Sequence, residues 1–396
     1  MKVAWINRTF GNYRIPVYAE LDRLLGGGLH VLYSAPRARP QAVERLHALL
    51  GDRAIALRDE RVLVHRGNAT SGYANRHLEV MFEPSLLPAL ARCKPDVMIG
   101  EGLAAWTATA LVRRITTGTP LVVSYQRTRH TERNVQWFRT AYRRAALRFI
   151  DAVCCNGRLS AEYTQWLGMP RHRIIEGANA AETQDLARQC AAIPTAERAE
   201  WRQRLRVKGM AFFFLGRLIE LKGVDRLLEA WRLVQQASDS PPATLLLGGD
   251  GPLRGELRAL CERYRLRNVR FLGAIEYEDI APHYAAADVF LIPTLEDNWS
   301  LVVPEAMACG LPVLSSRFNG CWPELVHTGV NGFTFDPNNP EELAARIRYF
   351  LLDPTTVGPM GEASKRIAAQ FSPHRAAGAF LRACELAMAR HTEVSN

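Results

Sequence analysis

Residues 289–316 read VFLIPTLEDNWSLVVPEAMACGLPVLSS and contain a complete strand–loop–helix–strand unit. The apolar run VFLIPT predicts a buried strand. Gly310 is expected to close the helix, and Pro312 to prevent its continuation before the next strand, PVLSS. A helix between two apolar strands is typical of a parallel sheet, whose ligands bind at the carboxyl ends of the strands. The polar loop LEDNW stands at such an end.

Two carboxylates flank the start of this helix. Ser300 is expected to be the N-cap, and Glu305 lies about one turn into the helix. Free amides before Leu301 favour an anion such as a phosphate, so the acids would accept hydrogen bonds from hydroxyls at either end of it. Asp297 would then bind a sugar and Glu305 a ribose. The alternative, acids that only complement the helix dipole, does not explain a loop as polar and aromatic as EDNW.

The same alternation of apolar strands and amphipathic helices runs through the whole chain. Strands are predicted at 2–7, 29–35, 61–65, 96–100, 120–126, 151–156 and 173–177, and again at 211–216, 243–249, 268–274, 289–294, 312–316 and 332–335. Near-continuous apolar strands indicate parallel sheets covered on both faces, and two such series indicate two doubly wound α/β domains. The break is expected within 183–208, which is charged and has no strand pattern.

Two further motifs of the second half follow strands. Gly216 and Arg217 end AFFFLGR, and Lys222 follows just before a helix. Two cations at this place suit a diphosphate, although a solvated basic loop is the alternative. Gly249 and Gly251, in LLLGGDGPL, would let the backbone approach a ligand, and a purely structural turn is equally compatible with them.

GRLxxxKG, GDGP, VFLIPT, DNWSLVVPEAMACGLPV and PELVHTGVNGFTF, in this order, resemble glycosyltransferase family 4 from about residue 211 to 352. The first half resembles it only in its strand–helix plan and in CCNGRLSAEYTQWLGMPRHRIIEGANAAE. The resemblance implies the GT-B fold, two Rossmann-like doubly wound domains facing each other across a cleft. It implies an acceptor-side domain at 1–185, a nucleotide-sugar-binding domain at 186–371 and a last helix, 372–396, that crosses back onto the first domain.

By this resemblance the chain is a retaining glycosyltransferase that uses a nucleoside-diphosphate sugar. Glu305 would bind the ribose, and Arg217 and Lys222 would bind the diphosphate and stabilise its charge as it leaves. Asp297 stands in the register of the family's first glutamate, with Glu296 beside it, so either acid could contact the donor sugar. The full expected donor site comprises Gly216, Arg217, Lys222, Gly249, Gly251, Glu296, Asp297, Asn298, Trp299, Ser300, Leu301 and Glu305.

No metal or other cofactor is expected, because no DxD triplet stands where a metal–diphosphate site needs one and the two cations can replace a divalent ion. The expected acceptor is a glycan or a polyprenyl-diphosphate-linked glycan in bacterial surface polysaccharide biosynthesis. Two alternatives stay open. One is a nucleotide-sugar epimerase of similar fold, and the other is a non-catalytic membrane- or polyanion-binding module with a vestigial donor site.

The first half offers fewer candidates. The loop NRTFGNYR holds Gly11, Asn12 and Arg14, which are candidates for acceptor or phosphate contact, with an ordinary polar turn as the alternative. His130, in the loop SYQRTRHTERN, is a candidate catalytic residue. Gln126 could instead occupy the family's usual histidine place, and a loop histidine is often structural or solvent-facing.

The net charge of +10 and the pI of about 9.4 indicate an anionic partner. Segment 127–149 holds seven arginines and one acid, interleaved with aromatic residues. Such a helix could lie on an anionic membrane or bind a lipid diphosphate, whereas the alternative packs its aromatics inward and solvates its arginines. Nucleic acid is not expected, since no recognition motif accompanies the charge.

Targeting signals are not evident. No apolar run reaches the roughly 18 residues of a membrane span, and the N-terminus is too short in apolar residues for a signal peptide. We therefore expect a cytoplasmic protein, peripheral on the cytoplasmic face of the inner membrane if 127–149 binds lipid. The eight scattered cysteines are expected to be reduced.

Overall fold

The structure is a computed structural model that describes residues 1–67, 77–103, 105–181 and 183–395. The chain divides into two compact units, the first formed by residues 1–181 with 371–396 and the second by residues 182–370. The sequence places these boundaries at 185/186 and 371/372. Within the described ranges, no helix is both long and apolar enough to cross a bilayer.

The strands are β1 (Val3–Ile6), β2 (Leu29–Ser34), β3 (Ala54–Leu57), β4 (Arg61–Gly67), β5 (His77–Phe82), β6 (Val97–Glu101), β7 (Leu121–Tyr125), β8 (Ala152–Cys155), β9 (Ile174–Glu176), β10 (Met210–Leu215), β11 (Ala243–Gly248), β12 (Val269–Gly273), β13 (Val289–Ile292), β14 (Val313–Ser316) and β15 (Gly332–Phe335).

The helices are α1 (Ile15–Leu24), α2 (Pro40–Leu50), α3 (Leu86–Cys93), α4 (Ala105–Thr117), α5 (Trp137–Leu147), α6 (Arg158–Trp166), α7 (Thr183–Ala192), α8 (Thr195–Arg204), α9 (Val224–Gln236), α10 (Arg254–Arg263), α11 (Ile280–Ala286), α12 (Val302–Ala308), α13 (Trp322–Leu325), α14 (Pro340–Leu352), α15 (Val357–Ala368) and α16 (Pro373–Ser395).

The first unit contains a seven-stranded parallel sheet in the order β3-β2-β1-β6-β7-β8-β9. The strand order reverses between β1 and β6, where Val3 pairs with Leu29 on one side and Val97 on the other. In open α/β sheets the crevice beyond the carboxyl ends at such a reversal is the usual ligand site. The fold therefore directs attention to the residues that follow β1 and β6.

The strand β1 shows how this sheet is buried on both faces. Val3 and Trp5 point toward α1, α2 and α16, whereas Ala4 and Ile6 point toward the face covered by α3, α4 and α6. Side chains alternate between faces along a strand, so only a strand that is apolar at every position fits between two helical layers. The ring of Phe380 on α16 packs 4.3 Å from that of Trp5, which anchors the last helix within this unit.

Two parts of the first unit differ from the sequence prediction. The strand predicted at 61–65 exists as β4, but it pairs antiparallel with β5 in a separate two-stranded sheet. Strands β3 and β5 were absent from the prediction. Val62 and Leu63 of β4 are 46% and 61% exposed, so this strand is not buried between two helical layers, and exposure of one face is typical of antiparallel pairs.

The second unit contains a six-stranded parallel sheet in the order β12-β11-β10-β13-β14-β15. All six of its strands were predicted in place. Its order reverses between β10 and β13, so the loops after these two strands meet at the ligand-binding edge. The charged segment 183–208 forms α7 and α8, which pack on α11.

The loops at this edge pack backbone against backbone. Gly249 has a φ of 120°, and a Cβ added there would lie 1.9 Å from the carbonyl oxygen of Gly216. Gly223 has a φ of 62°, and its Cβ would lie 2.3 Å from the carbonyl oxygen of Pro293. These positions are thus closed to side chains, because L residues disfavour both the conformation and the contact.

We expect Gly249→Ala to lower the free energy of unfolding by about 2 kcal/mol or more, through backbone strain and the clash with Gly216. Gly255→Ala is the matched control. Gly255 lies exposed in α10 and a Cβ there meets nothing within 4 Å, so this change should be neutral or stabilising by roughly 0.5–1 kcal/mol. Denaturant unfolding of both variants measures the difference, and equal stabilities would show that the packing is looser than described.

Candidate active site

An ion pair occupies the point where the strand order of the second sheet reverses. Lys222 Nζ lies 2.6 Å from Asp297 Oδ2, and each side chain is 18% exposed. Lys222 ends a short 3-10 turn after β10, and Asp297 belongs to the loop after β13. Arg217, also after β10, is exposed, and its guanidinium makes no bond to the part of the chain that the structure describes. Two sequence-predicted site residues are thus in contact, and a second cation, Arg217, stands on the same loop as Lys222.

Asp297 is the centre of a small hydrogen-bond network. Besides Lys222, it accepts bonds from the Ser300 hydroxyl at 2.6 Å and the Trp299 amide at 3.0 Å. Burial raises the pKa of Asp297, but the charge of Lys222 and these hydrogen bonds outweigh it, and the pKa lies below its ordinary value. The carboxylate is therefore ionised at neutral pH and holds the lysine nitrogen in place.

The network changes the role expected of Ser300, whose prediction as helix N-cap is wrong. The helix α12 begins at Val302 with Leu301 at the N-cap and no side-chain cap, because the Ser300 hydroxyl donates to Asp297 instead. The Trp299 and Ser300 amides are also engaged, the second with Asn319 Oδ1 at 3.3 Å. Both amides thus already have acceptors within the protein, and their contact with phosphate oxygens stays a prediction.

Glu305 lies on α12 and is only 9% exposed. The hydroxyl of Tyr284, a fully buried residue of α11, donates to Glu305 Oε2 at 3.2 Å. Burial raises the pKa of Glu305 to about 7, and the hydrogen bond from Tyr284 opposes that rise. Sequence reasoning missed Tyr284, because a tyrosine in the alanine-rich segment APHYAAAD carries no motif.

Other residues of the expected donor site are two polar residues of the loop after β13 and two glycines after β11. Asn298 Oδ1 is buried and accepts no hydrogen bond from the described residues. Glu296 is 8% exposed, and Asp297, rather than Glu296, carries the contact to Lys222. Packing alone accounts for Gly249 and Gly251, since a Cβ on Gly251 would lie 2.4 Å from the Leu218 carbonyl oxygen.

The first unit has its own pocket at the carboxyl ends of β1, β6 and β7. Its volume is about 310 Å³. The lining residues combine charged, amide and aromatic side chains: Ile6, Asn7, Arg8, Thr9, Tyr13, Arg14, Glu79, Met81, Glu101, Trp106 and Gln126. A mixed polar and aromatic lining suits a polyhydroxylated ligand.

Arg14 is the buried centre of this pocket wall. Its guanidinium is 1% exposed and donates to Glu101 Oε1 and to the Ala178 carbonyl, both at 3.1 Å. Glu101 also accepts a 3.1 Å bond from the Trp5 indole. Sequence reasoning missed Glu101, although its position at the end of an apolar strand was a usable signal.

Of the remaining candidates of the first unit, Gln126 lies in the pocket lining, whereas Gly11, Asn12 and His130 are not among the lining residues. Asn12 donates to Gln41 at 3.2 Å, and Gly11 has an ordinary extended backbone. A catalytic role for His130 stays a prediction. Among the described residues, no group of three or more His, Cys, Asp and Glu side chains could hold a metal ion.

Two protein-family models match this chain. Glycosyl transferases group 1 matches residues 197–367, and the glycosyl transferase 4-like domain matches residues 17–176. One relative is the D-inositol 3-phosphate glycosyltransferase of Corynebacterium jeikeium, 34% identical over 190 residues, which are 45% of this chain and 45% of that protein. Another is the GDP-mannose-dependent monoacylated alpha-(1-6)-phosphatidylinositol monomannoside mannosyltransferase of Corynebacterium glutamicum, 33% identical over 38% of this chain and 40% of that protein. The matched part thus spans less than half of these relatives.

Solved structures share the fold over nearly the whole chain. HepE of Anabaena, in complex with UDP and glucose, has a TM-score of 0.72 at 19% identity and covers 96% of this chain and 98% of its own. Sucrose-phosphate synthase of Thermosynechococcus elongatus has a TM-score of 0.67 at 18% identity and covers 100% of both chains.

Two Rossmann-like parallel sheets and these matches define the class of protein: the fold is that of the GT-B glycosyltransferases, and both halves of the chain match glycosyltransferase models. The second half of the chain is similar to glycosyl transferases group 1 and the first half to the glycosyl transferase 4-like domain, so the resemblance to family 4 is confirmed.

We expect the buried carboxyl of Glu305 to make stability fall as pH rises from about 5 to 7. Its folded-state pKa of about 7 exceeds the ordinary value of 4.5, so the folded state holds a proton that the unfolded state has lost. Relative to Glu305→Gln, wild type should lose up to ~1.4 kcal/mol per pH unit in this window and little more above pH 8.

Denaturant unfolding of both proteins between pH 5 and pH 8 measures this loss. In Tyr284→Phe the pH range over which stability falls should extend to higher pH, because the variant lacks the hydrogen bond that favours the Glu305 carboxylate. A stability difference between wild type and Glu305→Gln that does not change with pH would contradict the assignment.

Proposed function

We propose that the protein is a retaining glycosyltransferase that moves a sugar from a nucleoside-diphosphate sugar to a glycan or lipid-linked acceptor. One observation carries the proposal: Lys222 is fixed by Asp297 at the strand-order reversal of the second sheet, on the same loop as the exposed Arg217. Two cations at the carboxyl edge of a Rossmann-like sheet are suited to a diphosphate.

The two cations would bind the diphosphate in different ways. An ammonium group has three donors, so Lys222 can keep Asp297 and still donate to a phosphate oxygen. Arg217 can bind two oxygens with its planar guanidinium. Both charges would stabilise the negative charge that builds on the diphosphate as the bond to the sugar breaks, which is a preorganised electrostatic contribution.

The carboxylate of Glu305 would accept hydrogen bonds from the hydroxyls of the ribose. The carboxylate form is the better acceptor, so the bond from Tyr284 assists by favouring ionisation of Glu305. Asn298 Oδ1 would accept a further donor from the sugar or the base. A nucleoside-diphosphate donor agrees with UDP in the complex of HepE and with the GDP-mannose dependence of the mannosyltransferase.

The acceptor would be a hydroxyl compound bound by the polar pocket of the first unit. No protein nucleophile is needed if a donor phosphate oxygen takes the acceptor's proton, and retention of configuration follows from reaction on one face of the sugar. Asp297 is engaged with Lys222, which disfavours a hydrolase-type carboxylate pair. The lipid named as acceptor of the mannosyltransferase relative supports a lipid-linked acceptor.

We place this activity in bacterial surface polysaccharide biosynthesis, on the cytoplasmic face of the inner membrane. Nucleotide sugars are cytoplasmic substrates, and a lipid-linked acceptor would require access to the bilayer. The basic and aromatic segment 127–149 supports peripheral attachment.

A panel of UDP- and GDP-sugars with sugar and polyprenyl-diphosphate-linked acceptors tests the proposal. We expect an acceptor-dependent product by mass spectrometry, with the donor's anomeric configuration by NMR. Conversion of the donor sugar without acceptor would instead identify an epimerase. Binding without turnover over the whole panel would favour a non-catalytic module, and an inverted product would contradict the retaining mechanism.

We expect Lys222→Ala to lower kcat about 10- to 100-fold, because a hydrogen bond to a charged group is worth roughly 1.5–3 kcal/mol. Lys365→Ala is the control, since Lys365 is a solvent-exposed lysine paired with Glu362. EDTA should leave the wild-type rate unchanged if the two cations replace a divalent ion. A rate abolished by EDTA and restored by Mg²⁺ would show that a metal carries the diphosphate.

A further inference from the structure

The helix α5 presents its aromatic residues to solvent. We define the α5 face by Trp137, Phe138, Tyr142, Phe149 and Trp166, the last contributed by α6. Their side chains are 81%, 44%, 40%, 49% and 44% exposed, in that order. The alternative in which these aromatics pack inward is therefore wrong. We infer that the α5 face docks the protein on an anionic phospholipid surface.

The spacing along the helix makes this face continuous. Residues 137, 138, 141, 142 and 145 recur at intervals of one, three or four, which places them along one side of a helix with 3.6 residues per turn, and Phe149 follows two residues after the end of α5. All six are exposed, whereas Ala146 and Leu147 on the opposite side are buried in the core of the unit. A surface helix usually buries its apolar stripe and exposes polar residues, and here the larger apolar stripe faces outward.

The charge around the face is positive. The guanidinium groups of Arg144 and Arg129 lie 4.8 and 5.2 Å from the Trp166 ring centroid, and Arg148 is exposed between the aromatics. Glu132, the single acid of 127–149, is buried and contacts Arg143 at 2.5 Å.

Because Glu132 is buried and paired with Arg143, it contributes no exposed negative charge to the face. On α6 the exposed acid Glu162 is paired with Arg158 at 3.2 Å. The face therefore combines outward aromatics with uncancelled arginine charge, which complements a bilayer of anionic lipids.

This combination favours lipid over the other possible occupants. Tryptophan and tyrosine settle at the headgroup level, phenylalanine inserts below it, and nearby arginines are attracted to an anionic leaflet. A second copy of the chain, related by a twofold axis, would bring arginines against arginines. Single-stranded nucleic acid stacks on aromatics along a groove, whereas these aromatics are exposed on the outer surface of α5, α6 and the residues just after α5.

The inference deepens the peripheral attachment proposed above, but it does not rest on the sugar-transfer activity, because membrane docking needs neither donor nor acceptor. If both hold, the first unit would be held at the surface where a lipid-linked acceptor resides. The two ideas can fail separately, since vesicle binding and sugar transfer are measured by different assays.

Flotation of the full chain with vesicles tests the docking. We expect binding to vesicles of equimolar phosphatidylglycerol and phosphatidylcholine, little binding to phosphatidylcholine alone, and a loss of binding as salt rises. The double variant Trp137→Ser with Phe138→Ser should bind about tenfold more weakly, and so should Arg144→Gln with Arg148→Gln. Ile115→Ser, which changes a 57% exposed apolar residue of α4, is the matched control and should bind like wild type.

Circular dichroism of each variant checks that the fold is retained, as expected for exposed positions. Absence of binding to anionic vesicles, equal binding to neutral ones, or equal losses in the α5-face variants and the control would overturn the proposal. Two further results would overturn the proposal if vesicles are not bound. One is a dimer, detected by light scattering, that is lost when Trp137 is changed. The other is RNA binding that is lost in the α5-face variants.

Discussion

The contact between Lys222 and Asp297 is the constraint on which the proposed donor site in the second unit depends. A parallel sheet offers a binding edge only where its strand order reverses, and this ion pair joins the two loops that meet there. The Leu221 carbonyl accepts bonds from the Leu295 amide at 2.7 Å and the Thr294 hydroxyl at 2.8 Å, which fixes the same two loops at the backbone. The cation is thus positioned before any ligand arrives, so less ordering is needed on binding.

Glu305, unlike the Lys222–Asp297 ion pair, does not help to hold the fold together. A carboxyl buried on α12 with a pKa near 7 is unfavourable for folding whenever it is ionised, and only the Tyr284 hydroxyl relieves this among its described contacts. Such a group is hard to explain as a structural element, since glutamine would pack as well without the charge. A role in binding hydroxyl groups explains why the fold carries it.

Much of this architecture could be predicted from the sequence, because parallel strands buried on both faces are apolar at nearly every position and so stand out as apolar runs between helices. All strands of the second sheet were predicted in this way, and so was the grouping of Lys222 with Asp297. The antiparallel pair β4 and β5 was not, since it lies outside the buried sheets.

Local sequence patterns failed at three places, each for its own physical reason. Ser300 has the residue type and position of an N-cap, but its hydroxyl found a stronger acceptor in the ionised Asp297. Tyr284 acts on a residue 21 positions later, a pairing that no local pattern contains. In α5 the helical period was evident, but the period alone could not tell which side faces solvent, and exposure of Trp137 decides it.

A crystal structure of the full chain with UDP-glucose or GDP-mannose bound tests the central claim most directly. The account predicts diphosphate oxygens about 3 Å from the side-chain nitrogens of Arg217 and Lys222, with the ribose hydroxyls on the Glu305 carboxylate. A nucleotide seated elsewhere, for example in the pocket beside Arg14, would contradict it, as would one at the strand reversal that touches neither Lys222 nor Glu305.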